Sequence, residues 1–204
     1  FDPNMVYSFH KYWSPATVGS IQGYINMRNT NNRPLWMGEA GENSNVWFHE
    51  VVSILEDNNI GWNWWTHKKL EKISCPFSAV IPVQYQQVLD YWNGSGSQPS
   101  AVFSQAALLA MAQSLSLGQC ELRPGVVPAL LYPNYDTMLE PYAELNIPGV
   151  VPAVHYDIGP IGNAYQDEDY WNVGDGSYNQ GWLYRNDGVD IEYSDDPLGH
   201  EFSV

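Results

Sequence analysis

The stretch Arg33-Pro-Leu-Trp-Met-Gly-Glu-Ala-Gly-Glu-Asn43 decides the fold, because it places a carboxylate at the end of a short apolar strand. Leu35 to Met37 predicts a buried strand, and Glu39 follows it between Gly38 and Gly41, just before a helix begins. In a barrel of parallel strands, this position opens onto the face that carries the catalytic residues. The alternative is that Glu39 caps the following helix or forms a salt bridge with it, and this stretch alone favours neither interpretation.

Two predicted strands flank this stretch, and both lead into side chains that suit a functional site. Met5 to His10 alternates apolar and polar residues, which predicts a strand, and Tyr12 follows it closely. Ile60 to Thr66 predicts the next strand, and Trp65 lies near its end. Because the carboxyl ends of parallel strands meet at one face, we interpret these side chains and Glu39 as one site rather than as unrelated structural residues.

Segments with helical periodicity separate and follow these strands. Val18 to Met27 predicts a short helix, and Ser44 to Asp57 predicts a longer one in which the serine is the N-cap. Alternating strands and helices are typical of consecutive β/α units in a parallel sheet. After the third strand no fourth β/α unit is evident, and Val83 to Trp92 and Ser104 to Leu117 predict helices that close the outside of the barrel.

The composition limits the classes of partner. With 8 basic and 23 acidic residues the net charge is -15, so a polyanion such as nucleic acid would be repelled. The 9 Trp and 14 Tyr residues suit neutral, hydroxyl-rich ligands that stack on aromatic rings, and sugars have this chemistry, although large cores also use these residues. No apolar run is long enough to span a membrane.

The two cysteines and the first residues limit other properties. Cys75 and Cys120 exclude a disulfide-dense scaffold and a multi-cysteine zinc site, but they leave open one disulfide bond or two thiols. The chain starts with Phe1-Asp-Pro-Asn rather than with an initiator methionine, and no signal-peptide pattern follows. We therefore expect that processing or truncation has removed the true start.

The composition changes near Tyr132. From Ile147 onward Gly, Asp, Asn and Tyr dominate, and turn signals recur every few residues. This pattern predicts an antiparallel β-sandwich over residues 147–204, joined to the first domain by a linker over residues 132–146. A sandwich of seven or more strands needs about 100 residues, so we expect this one to be truncated.

Together, the three strand ends resemble strands six to eight of the glycoside hydrolase family 5 barrel, the cellulase-like group of retaining β-glycosidases. The His-x-Tyr of this family matches His10-Lys11-Tyr12, its Gly-Glu-[Phe/Ala/Thr]-Gly matches Gly38–Gly41, and its Gly-Trp-x-x-Trp-[Thr/Ser]-x-Lys matches Gly61–Lys68. The resemblance covers residues 1 to about 130. It implies an α/β fold in which residues 1–131 form the C-terminal part of a (β/α)8 TIM barrel.

The resemblance also implies roles for the matched side chains. Glu39 would be the nucleophile, Tyr12 would donate a hydrogen bond to its carboxylate, and His10 would orient this network or contact a sugar hydroxyl. Trp65 would form an apolar floor under the reacting sugar. Trp13, which follows Tyr12, is a further candidate for substrate binding.

Alternation along the third strand separates its three tryptophans. Trp62 and Trp64 fall on the face opposite Trp65, so we expect them to pack against helices. The carboxylates Glu42 and Glu50 are interpreted as loop and helix-surface residues rather than as a second catalytic group.

The second domain resembles the N-terminal half of a family 6 carbohydrate-binding module. This resemblance names no binding residues, and no cofactor is implied. Asp187, Asp190 and Glu192 could help to bind calcium, although a solvated β-surface is the favoured interpretation. The matching stretches are Ile147–Gly149, Ala164–Asp167, Asn172–Gly176 and Tyr184–Glu192.

One departure from family 5 limits the functional prediction. The acid/base of that family is the Glu of an Asn-Glu-Pro motif, and the sequence contains no such motif. We therefore expect a fragment of a longer, secreted, cell-surface or periplasmic endo-β-1,4-glucanase, inactive by itself, with mannan or xyloglucan as alternative substrates.

Two other classes of function are weighed against this one. The first is a non-catalytic carbohydrate-binding protein in which the barrel strands serve as a scaffold. The second is a phosphate-handling barrel, which is poorly supported because no Gly-rich phosphate loop follows any predicted strand.

Overall fold

The structure is a computed structural model, and it describes residue 2 and residues 4–174, 183–195, 199 and 201–204. Within these ranges the chain forms mixed α/β structure with small sheets, and none of these sheets closes on itself. The (β/α)8 barrel therefore stays a prediction. The first sheet is parallel, and its strand order is β1 (Tyr7–Lys11), β2 (Leu35–Ala40) and β3 (Gly61–Trp62).

Two helices connect these parallel strands, as the sequence predicts for consecutive β/α units. α1 (Val18–Asn31) follows β1 and is four residues longer than the prediction. Its C-cap is Asn32, which ends the helix in the left-handed conformation with φ of 48°. α2 (Asn45–Asp57) follows β2. Its N-cap is Ser44, as predicted, and the serine Oγ accepts a hydrogen bond from the backbone N–H of Trp47 at 3.2 Å.

The third strand is shorter than the predicted Ile60 to Thr66. Regular pairing with β2 covers only two residues, Gly61 and Trp62. Single backbone hydrogen bonds continue beyond it, since the N–H of Trp65 donates to the carbonyl of Ala40 at 2.9 Å. The chain after β3 therefore still runs beside the end of β2.

The core lies between the first sheet and its two helices. Met37 from β2 and Trp47, Phe48 and Leu55 from α2 are fully buried. The prediction for the tryptophans of the third strand is confirmed: Trp62 and Trp64 pack against this core, whereas Trp65 is exposed. The other face of the sheet carries the exposed Ser8, His10 and Trp36.

A second small sheet follows, for which the sequence predicted no strands. It pairs β4 (Lys68–Leu70) in parallel with β5 (Phe77–Ala79), and β5 antiparallel with β6 (Glu121–Leu122). Both cysteines are free thiols. Three helices accompany this sheet: α3 (Val83–Trp92), as predicted, α4 (Ala101–Ser114) and α5 (Val126–Leu131).

α4 begins three residues before the predicted Ser104 and also ends earlier. Its N-cap is Ser100, whose Oγ accepts from the backbone N–H of Phe103 at 3.2 Å. This serine directly follows a proline and lies outside the predicted helix. In the described ranges, no helix has both the length and the apolar character to cross a bilayer.

We call residues 4–131 the first region, and residues 132–174, 183–195, 199 and 201–204 the second region. The second region contains one antiparallel pair, β7 (Glu192–Tyr193) with β8 (Phe202–Ser203), and short 3-10 helices. The β-sandwich therefore stays a prediction. Phe1 and two residues of the Asn172–Gly176 stretch, Asp175 and Gly176, lie outside the described residues.

The second region packs closely on the first. Tyr135 and Met138, from the stretch predicted as a linker, are buried in the same core as α2. Tyr170 donates a hydrogen bond to Glu50 of α2 at 3.1 Å. Burial raises the pKa of Glu50, so this carboxylate on the surface of α2 is partly covered by the second region.

Candidate active site

A bulge in β2 places Glu39 opposite His10. The two strands pair Phe9 with Met37 but then His10 with Glu39, so Gly38 is an extra residue in β2. A bulge reverses the alternation of side chains beyond it. Met37 and Ala40 consequently both face the core, and Glu39 lies on the other face of the sheet, next to His10.

Two side chains from the end of β1 meet one oxygen of Glu39. The hydroxyl of Tyr12 donates a hydrogen bond to Oε2 at 3.0 Å, and Nδ1 of His10 lies 3.5 Å from the same atom. The side chain of Glu39 is 34% exposed. The carboxylate is therefore held through Oε2, while Oε1 has no hydrogen-bond partner among the described residues.

The electrostatic surroundings keep Tyr12 protonated. Burial raises the pKa of this tyrosine, and the hydrogen bond to Glu39 and the negative charges of Glu39 and Glu42 raise it further. A tyrosine that retains its proton across the whole neutral range can serve as a permanent donor to a carboxylate.

The two glycines beside Glu39 are explained by close approach of neighbouring chain segments. A Cβ at Gly38 would lie 2.7 Å from Oγ of Ser8, and a Cβ at Gly41 would lie 2.5 Å from the backbone oxygen of Trp65. Both distances are too short for a real contact. The Gly-Glu-Ala-Gly motif thus allows β1 on one side and the chain after β3 on the other to pack directly beside the carboxylate.

Lys11 anchors the loop that carries Tyr12 and Trp13. Its side chain is buried, and Nζ donates to Oγ of Ser14, to the carbonyl of Pro15 and to Oγ of Ser20, each at 2.8 Å. Burial lowers the pKa of Lys11 to about 8. The sequence interpretation passed over this lysine because nothing in a single strand pattern predicts that a charged residue faces the core.

The two remaining predicted site residues lie at the edges of this arrangement. The indole of Trp13 is 52% exposed, and its ring centroid is 5.8 Å from that of Tyr12. The indole of Trp65 is 49% exposed, and its backbone lies against Gly41. His10, Tyr12 and Glu39 therefore form the centre of the site. One exposed tryptophan follows each of the two strands beside β2: Trp13 after β1 and Trp65 after β3.

A cleft of about 470 Å³ lies beside Trp13, at one edge of this arrangement. Trp13 and Glu42 border it from the first region, but so do Asn172 and Gly174 from the second. Sequence reasoning named neither of the last two as site residues, because they are separated from Glu42 by about 130 positions. No local pattern indicates that such distant residues meet.

The three carboxylates considered for calcium do not share one environment. Asp187 is buried and forms an ion pair with Arg185, with an N–O distance of 2.8 Å, whereas Asp190 and Glu192 are exposed. Among the described residues, no group of three or more His, Cys, Asp or Glu side chains is arranged to hold a metal ion.

Comparison of the chain with protein-family models, with curated proteins and with solved structures finds no match. The function is therefore argued from the site residues and from the resemblance of their motifs.

Proposed function

We propose that this chain carries the nucleophile of a retaining β-glycosidase, and that Glu39 is this nucleophile. The observation that supports the proposal most directly is the 3.0 Å hydrogen bond from the Tyr12 hydroxyl to Oε2 of Glu39. It holds a partly exposed carboxylate at the end of a parallel strand, beside a histidine and near two exposed tryptophans. A nucleophilic carboxylate needs this combination of access and fixed orientation.

In the proposed reaction, Oε1 of Glu39 attacks the anomeric carbon of a β-linked sugar. An ester bond forms between this oxygen and the anomeric carbon, the glycosidic bond breaks, and a second carboxylic acid gives its proton to the leaving oxygen. Water then cleaves the ester and returns a proton to the second carboxyl group. Tyr12 and His10 hold Glu39 through Oε2, so Oε1 is left for the attack.

The second carboxyl group is the limiting requirement. A retaining enzyme places it about 5–5.5 Å from the nucleophile, and in family 5 it belongs to the Asn-Glu-Pro motif that this sequence lacks. We therefore propose that the 204 residues alone do not hydrolyse β-glucan. Turnover of a soluble β-glucan by the purified chain, if Glu39→Gln abolished it, would contradict this statement.

The proposed substrate is a neutral β-linked polysaccharide or oligosaccharide, with β-1,4-glucan first and mannan or xyloglucan as alternatives. The exposed tryptophans supply flat surfaces for sugar rings, and the net charge of -15 disfavours polyanionic substrates. A secreted, cell-surface or periplasmic location belongs to the same proposal, because polysaccharides are met outside the cell.

The test is kinetic and uses a longer protein that contains this chain together with the Asn-Glu-Pro acid/base. We expect Glu39→Gln to lower kcat by about 10⁴-fold or more, because the ester intermediate can no longer form. Glu144→Gln, an exposed carboxylate of the second region, is the matched control and should leave kcat unchanged. Full activity of Glu39→Gln would remove Glu39 from the nucleophile role.

A second candidate function is carbohydrate binding without catalysis. The exposed indoles of Trp13 and Trp65 favour it, because both are available to a sugar ring in this chain as it stands. Under this alternative, the purified chain binds cello-oligosaccharides, and Glu39→Gln changes no activity in any longer protein.

A further inference from the structure

The cleft next to the candidate active site is built by both regions of the chain. It has a volume of about 470 Å³, within the range of about 300–1,000 Å³ that is usual for ligand pockets. Its walls include Trp13, Glu42, Lys69 and Ser74 from the first region and Asn172 and Gly174 from the second.

Asn172 connects the two sides of this cleft. Its Nδ2 donates a hydrogen bond to the carbonyl of Glu42 at 3.1 Å, and its Oδ1 accepts one from the N–H of Gly174 at 2.8 Å. Gly174 in turn lies against Trp13, since a Cβ on this glycine would be 3.4 Å from Cβ of the tryptophan. The side chain of Asn172 therefore links the position of Trp13, through Gly174, to that of Glu42.

The backbone of Asn172 is fixed as well. Its N–H donates to Oδ1 of Asn43 at 2.8 Å, and its carbonyl accepts from Nδ2 of Asn43 at 3.0 Å. Asn43 is fully buried and directly follows Glu42 in the loop after β2. Asn186, also from the second region, donates through Nδ2 to the carbonyl of Asn43 at 2.8 Å. Four hydrogen bonds to the second region thus hold the loop that follows Glu39. One reaches the carbonyl of Glu42, two join the side chain of Asn43 to the backbone of Asn172, and one reaches the carbonyl of Asn43.

The groups that face the cleft are those that bind a neutral sugar. Trp13 offers an exposed aromatic face, and the buried Ser74 forms part of the wall. Nζ of Lys69 lies 3.5 Å from Oε1 of Glu42 and 3.5 Å from Oγ of Ser74, so this cation is paired within the wall. Lys72 adds a second ammonium donor for sugar hydroxyls. Hydrogen-bonding side chains in the same cleft as an aromatic face suit the hydroxyls and the apolar face of a pyranose ring.

We propose that this cleft is a binding subsite for a neutral β-linked oligosaccharide, with Trp13 as its stacking surface and Asn172 as the positioning residue that holds its wall. The proposal rests on the proposed function, because that function sets the direction in which the sugar chain runs past Glu39. It adds that the second region forms part of the substrate site, rather than acting only as a separate binding unit.

The first test measures binding of cellohexaose and mannohexaose to the full 204-residue chain by isothermal titration calorimetry. We expect binding of at least one of them, and Trp13→Ala should weaken it about tenfold or more, as removal of an aromatic anchor does. Trp92→Ala, an equally exposed tryptophan on α3, is the matched control and should bind as the wild type does. Absence of binding by the wild-type chain, or unchanged binding by Trp13→Ala, would overturn the proposal.

The second test addresses Asn172. Asn172→Ala removes both side-chain hydrogen bonds and should weaken binding about threefold to tenfold, whereas Asn172→Asp keeps an acceptor for Gly174 and should lose less. The indole N–H resonance of Trp13 should move in Asn172→Ala before any sugar is added, which a residue that serves stability alone would not cause. Asn26→Ala on α1 is the control. An unmoved resonance and unchanged affinity in a folded Asn172→Ala would overturn the positioning role.

These outcomes can be separated from failure of the proposed function. If Glu39→Gln retains kcat in the longer protein but Trp13→Ala and Asn172→Ala lose sugar binding, the nucleophile assignment fails and the subsite stands. If Glu39→Gln abolishes kcat but both cleft variants bind normally, the subsite proposal fails alone.

Discussion

The two regions of the molecule are held together in different ways. In the first region, apolar side chains such as Met37, Trp47 and Leu55 form a continuous core between a parallel sheet and its helices. The second region has a separate apolar cluster whose buried members are Val154, Val189 and Ile191, and beside it lies the buried Arg185. The first region therefore depends mainly on apolar volume, whereas the second, besides the side chains that it adds to that core, depends on a buried charged side chain.

Arg185 contacts many parts of the second region. Its guanidinium forms a buried ion pair with Asp187 at 2.8 Å, and it donates to the carbonyls of Val154, Tyr156 and Asp157. It also lies over the ring of Tyr156, 3.6 Å from the centroid. A buried charge is tolerated only when its hydrogen bonds are satisfied in this manner. We therefore expect the second region to lose stability when a buried charge is removed, as the first region does when apolar side-chain volume is removed.

The largest expected effect is therefore at Arg185. We expect Arg185→Ala to lower the free energy of unfolding by about 3–5 kcal/mol, because Asp187 would be left buried without its partner. Urea unfolding followed by circular dichroism measures this change. Arg33→Ala is the control and should change stability by no more than about 0.5 kcal/mol, because the guanidinium of Arg33 makes its one hydrogen bond among the described residues to the carbonyl of Asn32 next to it.

A double variant sharpens this prediction. Arg185→Met combined with Asp187→Leu removes both charges, so it should be clearly more stable than Arg185→Ala. If the double variant is as unstable as the single one, the contribution of Arg185 comes from its shape and packing, and the contrast between the two regions does not hold.

The contrast also explains what the sequence could predict. The periodicity of Trp47, Phe48, Val51 and Leu55 predicted α2 with its N-cap, and the run Leu35 to Met37 predicted β2, because burial of apolar side chains imposes a period that is visible in sequence. The predicted meeting of His10, Tyr12 and Glu39 followed from the rule that parallel strands end at one face.

The polar contacts could not be predicted in this way. Asn172 and Asn186 meet the loop after β2 across more than a hundred positions, and an asparagine carries no periodic signal of burial. Arg185 and Asp187 lie in an Arg-Asn-Asp-Gly stretch that was interpreted as a turn. The bulge at Gly38 was likewise invisible, although it decides which face of the sheet Glu39 occupies.

An intermediate effect is expected at Gly41, where the first region is packed most tightly beside the site. Gly41→Ala places a Cβ 2.5 Å from the backbone oxygen of Trp65, so we expect a loss of about 1–3 kcal/mol in the free energy of unfolding. Gly23→Ala on α1 is the control, because a Cβ there would meet no atom within 4 Å among the described residues beyond the adjacent backbone of its own helix. A helical alanine should stabilise by about 0.5–1 kcal/mol. Equal stability of the two variants would contradict the close approach.

The smallest expected effect concerns Lys11, the buried lysine of the first region. The pKa of Lys11 is lowered by burial to about 8 from 10.5 in the unfolded chain, so the unfolded chain binds more protons between these pH values. Stability should therefore be lower below pH 8 and rise above it, by on the order of 1–2 kcal/mol up to pH 9.5.

Urea unfolding at several pH values between 7 and 9.5 measures this rise as the difference between the wild type and Lys11→Met, in which we expect it to be absent. Working below the unperturbed pKa of tyrosine, about 10, avoids the opposite effect of the buried tyrosines. Identical pH profiles of the two proteins would show that burial does not disfavour the charge of Lys11.

The central claim is that Glu39 attacks the anomeric carbon, and covalent trapping tests it most directly. A longer protein that contains this chain and the acid/base is treated with a fluorinated β-glucoside that has a good leaving group, and the labelled peptide is then identified by mass spectrometry. The account predicts one glycosyl ester, on Glu39, and no label in Glu39→Gln. An ester on any other carboxylate of the treated protein would contradict it.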